Sequence, residues 1–348
     1  MTTPVLTLAS IDPVMRSAAA SALLCDLPGA VVVQHDLDAE SGSLRRVVYD
    51  RSGVGEDVTH VLDHACASCA LREDIVPTVL ALAAGDPQAV VVALPTAIEP
   101  LPVVTALGGA EQVTVAGVAT VVDTDTLVTD LMGQDLLADR GLAVGEQDDR
   151  SVGEVVVHQL EFADMILTAA DAPGPVSQAV IAHLAGPGSS VPWDRAPVDR
   201  LLAARPTPRR GDLMRLGTPD VESDAGVWTL DLRSWRPLHP HRLLDNAETL
   251  GAGMIRGKGH FWVPSRPTLA CAWDGAGGQL SVGRLGTWER RPETHLVITG
   301  LGGRPAELRQ AFEETLLTDA ELSRGLGAWS ARADGLDPWL GAQQEEAA

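Results

Sequence analysis

A series of short, largely apolar runs in the first half of the chain most constrains its fold. The runs are Val5–Ala9, Val31–Val33, Ala89–Leu94, Val113–Val122 and Met165–Thr168. Helical stretches such as Pro13–Leu24 and Asp74–Ala84 separate them, and Asp57–His64 is predicted to be a short helix. Strands that are apolar on both faces are typical of parallel sheets covered by helices on both sides. The pattern therefore predicts an α/β domain with a mostly parallel sheet.

The second half has a different pattern. Trp228, Leu230 and Leu232 alternate with polar residues, which is typical of a strand with one wet face. Further strands are predicted at Met254–Val263, Leu269–Asp274 and His295–Thr299, and helices at Arg242–Leu250 and Pro305–Leu317. The predicted organisation is an α/β domain at 1–190, a linker at 191–225, a smaller α+β domain at 226–322 and a loose acidic tail at 323–348.

Composition limits the partners and the compartment. The formal net charge is −21, which disfavours DNA as a partner because nucleic-acid affinity comes mainly from Lys and Arg. Basic proteins are the easier expectation. Four scattered cysteines do not form a secreted disulfide framework, and the first residues lack a signal peptide. No apolar run approaches the ~20 residues that span a bilayer, so a cytoplasmic protein without membrane contact is expected.

Two cysteines form the main chemical motif. Cys66 and Cys69 lie three residues apart, and His35, His60 and His64 supply nitrogen donors in the same half. Zinc prefers sulfur and imidazole ligands, so Cys66, Cys69, His35 and His64 are the predicted metal ligands. Two alternatives stay open: a pair of buried, inert thiols and a dithiol redox switch.

The turn after the first predicted strand lacks the residues that hold a triphosphate. Ala9–Ser17 contains no glycine and no lysine, and the only lysine of the chain is Lys258. Phosphate loops need glycines, a lysine and a Ser or Thr for magnesium. Ser17 is the single residue here that could still hold an ion. The turn therefore argues against efficient nucleotide hydrolysis.

Basic residues gather in the second half of this acidic chain. They are Arg233, Arg236, His239, His241, Arg242, Arg256, Lys258 and Arg266. They are interpreted either as a docking patch for an acidic surface or RNA, or as exposed solubilising charges.

Several segments together resemble CobW-type metal-handling GTPases. The segments are Cys66–Ile75, Arg236–Leu244, Ile255–Trp262, Ala276–Gly278 and Leu316–Leu322, and the resemblance runs from about Pro4 to Leu322. It implies a P-loop-NTPase-like domain followed by a CobW C-terminal domain, with zinc as the metal. Three nucleotide motifs of the family are degraded in this chain, and of the guanine-reading motif only Asp171 is kept. Ser17 and Asp171 would be remnants of a GTP site.

The sequence is also similar to an actinobacterial branch of that family with a degraded phosphate loop. That likeness implies a zinc-responsive adaptor that helps a hibernation factor reach the small ribosomal subunit when zinc is scarce. Two other hypotheses are kept: a zinc metallochaperone with weak GTP binding and hydrolysis, and the dithiol redox switch.

Overall fold

The structure, a computed structural model, describes residues 2–64, 66–145, 147–169, 172–222, 224–303, 305–329 and 333–343. The chain forms two compact units, Met1–Gly211 and Asp212–Ala348. The first holds a large, mostly parallel sheet with helices and the second a smaller antiparallel sheet with helices, which confirms the predicted fold class. Across the described ranges, no helix combines the length and the apolar content needed to cross a membrane.

The first unit is built on one sheet. Its described strands are β1 (Thr3–Ala9), β2 (Val31–Asp38), β3 (Ser43–Asp50), β4 (Gly53–Val61), β5 (Val90–Ala93), β6 (Val113–Val122), β7 (Met165–Thr168) and β8 (Ser190–Pro192). They are ordered β4-β3-β2-β5-β1-β6-β7-β8. The β2–β3 and β3–β4 pairs are antiparallel, and the other neighbours are parallel.

Helices flank this sheet. They are α1 (Pro13–Asp26), α2 (Ala67–Ala70), α3 (Val76–Ala83), α4 (Pro100–Leu107), α5 (Leu127–Met132), α6 (Val152–Phe162), α7 (Pro175–Ala185) and α8 (Val198–Ala203). A π-helical turn, Leu71–Ile75, joins α2 to α3.

The centre of the sheet is apolar on both faces, as predicted. All four residues of β5 are buried, and Val90 lies beside Val5 of β1 and Val31 of β2. Each fully buried valine contributes about 1.5 kcal/mol or more to stability. The carboxyl ends of β1, β2 and β5 therefore meet at one firmly held edge, where ligands of open α/β sheets bind.

The helix predicted at Asp57–His64 is wrong, because Gly53–Val61 forms β4. The turn before β4 decides the structure: Asp50 accepts a hydrogen bond from the backbone N–H of Ser52 at 2.7 Å, and Gly53 adopts a φ of 125°. The chain consequently reverses and pairs with β3 as a hairpin. β4 forms the outer edge of the sheet.

The second unit carries the antiparallel sheet. Its described strands are β9 (Val227–Ser234), β10 (Ile255–Phe261), β11 (Leu269–Ala276), β12 (Gln279–Thr287) and β13 (Thr294–Leu301), in the order β12-β11-β10-β13-β9. Its helices are α9 (Pro240–Gly251), α10 (Pro305–Thr315), α11 (Asp319–Leu322) and α12 (Asp337–Leu340). Phe261, Trp273 and Ile298 lie in its core.

The glycines around Lys258 serve backbone packing. Gly259 has a φ of 154°, and a Cβ there would lie 2.0 Å from the carbonyl oxygen of His295. A Cβ on Gly257 would lie 3.1 Å from the indole nitrogen of Trp273. Glycine at 259 therefore allows β10 and β13 to approach closely, and glycine at 257 leaves room for the Trp273 side chain of β11.

The C-terminal segment is anchored, in contrast to the loose tail expected from the sequence. Asp334 is buried and accepts hydrogen bonds from the guanidinium of Arg266 at 2.8 and 3.1 Å. Leu336 and Leu340 join the core of the second unit. Burial opposes ionisation of Asp334, but the bonds from Arg266 outweigh it and hold the pKa of Asp334 well below its usual range. Composition alone missed this buried ion pair.

We expect Asp334→Asn to lower the free energy of unfolding at neutral pH by about 3 kcal/mol, because it leaves the buried Arg266 without its carboxylate. Since the pKa of Asp334 is lowered in the folded protein, its stabilisation is complete above the ordinary value of 3.8 and lost as the pH falls below it. Urea titrations at neutral and acid pH measure both effects.

The control is Asp337→Asn, whose exposed carboxylate also contacts Arg266. It should cost less than about 1 kcal/mol. Parallel acid sensitivity of the wild-type and Asp334→Asn proteins would contradict the assignment.

Candidate functional site

The structure brings the two predicted thiols together at the start of a helix. Cys66 is the N-cap of α2, and its Sγ accepts a hydrogen bond from the backbone N–H of Cys69 at 3.3 Å. Cys69 lies inside α2 rather than in the predicted loop and is buried, whereas Cys66 is partly exposed. Both thiols are free. One helical turn therefore presents two thiols, of which Cys66 is partly open to solvent.

The two thiols have different acidities. The backbone N–H of Cys69 stabilises the thiolate of Cys66 and lowers its pKa. The hydrogen bond with Cys66, together with burial and nearby Glu73, raises the pKa of Cys69 to about 11. Cys66 is therefore the more acidic thiol of the pair. A soft cation bound by both sulfurs would displace the thiol protons.

Glu73 is a neighbour of this pair that the sequence analysis missed. Its carboxylate accepts hydrogen bonds from Arg72 at 2.9 Å and from the backbone N–H of Asp63 at 3.4 Å. The Arg72 guanidinium in turn lies 3.9 Å from the Sγ of Cys69. The i, i+4 spacing from Cys69 to Glu73 was the available signal, because such residues share a helix face. Glu73 adds a hard oxygen donor beside two soft sulfurs.

His35, a predicted ligand, is held by Asp74. The ring is fully buried, and its Nε2 lies 2.7 Å from Oδ1 of Asp74. Burial lowers the pKa of His35, and the bond to Asp74 only partly opposes this. The described contacts do not join His35 to the thiols. Its ligand role stays a prediction. In the structure the ring contacts Asp74.

The Asp74 carboxylate contacts side chains from three neighbouring strands. Besides His35 of β2, its carboxylate contacts the guanidinium of Arg46 on β3 and lies 3.3 Å from Nε2 of His60 on β4. Burial opposes its ionisation, but the bond from His35 and the charge of Arg46 lower the pKa of Asp74. Asp74 lies in the π-helical turn after α2. Such turns are rare and frequent at functional sites.

His64 lies on the same cleft as Cys66. The cleft has a volume of about 820 Å³ and is lined by Ala39–Gly42, His64, Cys66–Ser68, Val144, Gly145, Gln147, Asp148 and Arg150. Among the described residues, no three His, Cys, Asp or Glu side chains are already arranged around one metal position. The His64 ligand role stays a prediction that needs a rearrangement of its side chain toward Cys66.

In the turn between β1 and α1, the carboxylate of Asp12 binds the backbone at the start of the helix. Oδ1 of Asp12 accepts hydrogen bonds from the backbone N–H groups of Val14 and Met15 at 2.7 and 2.9 Å. The Ser10 hydroxyl accepts the N–H of Asp12 at 3.1 Å. Free N–H groups at such a helix start are the usual binding site for phosphate. Here a side-chain carboxylate occupies them.

Of the two predicted remnants of a nucleotide site, the structure describes Ser17. The Ser17 hydroxyl lies within hydrogen-bonding distance of the Pro13 carbonyl at 2.7 Å and of Gln34 Oε1 at 3.0 Å. Asp171, the second predicted remnant, lies outside the described residues. Arg16, the only cation of this turn, is fully buried and directed into the protein. The nucleotide-site role of Ser17 and Asp171 stays a prediction.

Comparison with known proteins gives one match to a domain family and several to whole proteins. Residues 227–316 match the cobalamin synthesis protein CobW C-terminal domain. The chain is 28% identical to the Mycobacterium tuberculosis protein named zinc chaperone Rv0106, over 97% of this chain and 94% of that protein. It is 24% identical to zinc-regulated GTPase metalloprotein activator 1 of Dictyostelium discoideum, over 77% of this chain and 68% of that protein.

A weaker likeness is found among solved structures. The Zn(II)-bound YjiA GTPase from E. coli is 14% identical to this chain. The match covers 91% of this chain and 100% of that chain, with a TM-score of 0.38. Residues 227–316 thus match the CobW C-terminal domain, and over most of its length the chain is similar to proteins named zinc chaperone and zinc-regulated GTPase metalloprotein activator.

Proposed function

We propose that this chain binds Zn²⁺ as exchangeable cargo through Cys66 and Cys69, and that it does so without GTP. The observation that carries the proposal is the thiol pair at the start of α2, with Cys66 on the rim of a large cleft. The names of two relatives, a zinc chaperone and a zinc-regulated GTPase, support zinc as the metal.

An incomplete set of protein ligands around zinc suits the transfer of the ion to a recipient. Zinc sites that hold the ion permanently use four protein ligands in a closed tetrahedral shell, whereas open sites keep a position free. Cys66 and Cys69 supply two sulfurs, and His64 on the same cleft is the proposed third ligand. The remaining position would face the cleft, where a recipient's ligand can attack. Glu73 beside Cys69 is the alternative third ligand within this chain.

We also propose that nucleotide binding has been lost. The Asp12 carboxylate already accepts the N–H groups at the start of α1, and a triphosphate would have to displace it against like charge. The phosphate-binding lysine has no counterpart, since Lys258 lies on β10 in the other unit. Binding and hydrolysis of GTP depend on placed positive charge, which this turn does not supply.

A second candidate function is that of an adaptor between a hibernation factor and the small ribosomal subunit. The observation that favours it is an exposed aromatic-basic patch in the C-terminal unit. Trp235 is 52% exposed, and the guanidinium carbons of Arg236 and Arg291 lie 5.1 and 5.9 Å from its ring centroid. Arg and Trp together suit stacking on bases and contact with phosphate. The net charge of −21 suits a basic protein partner at the same time.

Removing either sulfur should abolish zinc binding. We expect purified wild-type protein to bind a single zinc equivalent, and Cys66→Ser and Cys69→Ser to bind none above background, because zinc prefers thiolate to hydroxyl ligands. Titration against a chromophoric chelator measures the affinity. Cys25→Ser is the matched control, since Cys25 is an exposed free cysteine on α1. Unchanged zinc content in both variants, or a Cys66–Cys69 disulfide as the main form in cells, would contradict the proposal.

GTP with magnesium should give no binding heat in calorimetry. Asp12→Ala should cost about 1 kcal/mol of stability through the lost helix cap. It should still not bind GTP, because the turn has no lysine or glycine. Asp38→Ala is the matched control, because it removes a comparable set of side-chain to backbone hydrogen bonds at the end of β2. Micromolar GTP binding by the wild-type protein would disprove the loss of nucleotide binding.

The adaptor function is tested by sedimentation of small ribosomal subunits with this chain and a hibernation factor, with zinc or with a chelator. We expect co-sedimentation that depends on zinc and is weakened by Trp235→Ala. Trp339→Ala is the matched control, because Trp339 is 49% exposed. Absence of wild-type protein from the subunit fraction under both conditions would contradict this function.

A further inference from the structure

We propose that Arg16 is a positioning residue that replaces a bound ligand at the edge of the first sheet and thereby keeps the thiol pair in place. The inference rests on the zinc site proposed above. It explains how a chain without a nucleotide can hold a metal-binding helix start in a defined position.

The Arg16 guanidinium closes the gap where two strands separate. β2 and β5 are paired as far as Gln34 and Ala93. The next carbonyl oxygens, those of His35 and Leu94, both accept hydrogen bonds from Nη1 of Arg16, at 3.2 and 2.5 Å. Without Arg16 these two carbonyls would lose a buried hydrogen-bond partner, which is unfavourable.

The same side chain ties α1 to the strand ends. Nη2 of Arg16 pairs with the carboxylate of Asp36, the residue after His35. The Arg16 side chain is fully buried, whereas that of Asp36 is 36% exposed. One cation thus joins α1, β2 and β5 at the sheet edge where open α/β folds bind their ligands. Arg16 takes the place of a ligand as the group that holds the three elements together.

Successive contacts connect Arg16 with the turn that follows the thiols. Arg16 holds the backbone of His35, and the ring of His35 holds Asp74 at 2.7 Å. Asp74 lies in the π-helical turn that continues directly from α2, which Cys66 caps. The position of this turn relative to β2 therefore depends on where the His35 backbone is fixed. Residues that orient a metal site from outside its ligand set change affinity when removed.

The test compares the zinc affinity of the wild-type protein with that of Arg16→Met, which keeps the apolar stem of the side chain and removes its charge and donors. We expect zinc binding to weaken about 10- to 100-fold. Amide hydrogen exchange within residues 66–75 should be faster than in the wild-type protein. Arg16→Lys, which keeps the charge and can reach a carbonyl, should restore part of the affinity.

The matched control is Val180→Ala, a buried change on α7 in the same unit, which packs against α5 and α6. It should lower stability while leaving the zinc affinity unchanged. If Arg16→Met does not fold, Asp36→Asn takes its place, because it weakens the ion pair and keeps the two carbonyl bonds. We expect Asp36→Asn to weaken zinc binding by a smaller factor with the same change in exchange.

The outcomes separate this inference from the zinc site itself. Wild-type zinc affinity in folded Arg16→Met, or in Asp36→Asn when Arg16→Met does not fold, would overturn the role of Arg16. An equal loss of affinity in Val180→Ala would overturn it too, because the effect would then follow from stability alone. Failure of the wild-type protein to bind zinc would instead remove the proposed function.

Discussion

The buried carboxylate of Asp74 is the interaction on which the candidate site depends. His35, Arg46 and His60 come from three adjacent strands, β2, β3 and β4, and all reach this one group. A buried charge is tolerated only when such partners compensate its loss of hydration. Because His35 lies directly opposite Arg46 in the β2–β3 register, both side chains point to the same face of the sheet. The antiparallel extension of the sheet thereby supports the helix that begins with the thiols.

A second constraint is that side chains of the chain itself bind the polar backbone groups at the edge between β1 and α1. Asp12 supplies the anion at the helix start, and Arg16 supplies the cation at the strand ends. A protein that binds a nucleotide leaves these positions to phosphate and metal. Here the chain's own side chains occupy the helix start and the strand ends. This occupancy supports the proposal that the chain binds zinc at its thiols without a nucleotide.

The parallel core could be predicted from the sequence because apolar runs on both faces have few other solutions. The strands predicted at Val5–Ala9 and Met165–Thr168 are present as β1 and β7. The β3–β4 hairpin was missed because its residues are mostly exposed, and its turn at Asp50–Gly53 was the only local signal. In the C-terminal unit, the anchoring of Asp334 by Arg266 joins residues 68 positions apart. No local pattern reveals such a pair.

The candidate site could likewise be predicted only where its sequence signal is local. The Cys66 and Cys69 spacing identified the thiols, since the motif is local. Asp74 and Arg16 were missed because their partners lie 39 and 78 residues away along the chain, at His35 and Leu94. His35 was found by residue type, but its contact with Asp74 depends on strand register. Residue type thus located candidate donors, and only the fold shows which side chains contact them.

The most direct test of the central claim is zinc K-edge X-ray absorption on the zinc-loaded protein. We expect two sulfur neighbours at about 2.3 Å, with nitrogen or oxygen completing the shell. The spectrum should stay the same when GTP and magnesium are added. A shell without sulfur, or one that forms only in the presence of GTP, would contradict zinc binding by the two thiols without a nucleotide.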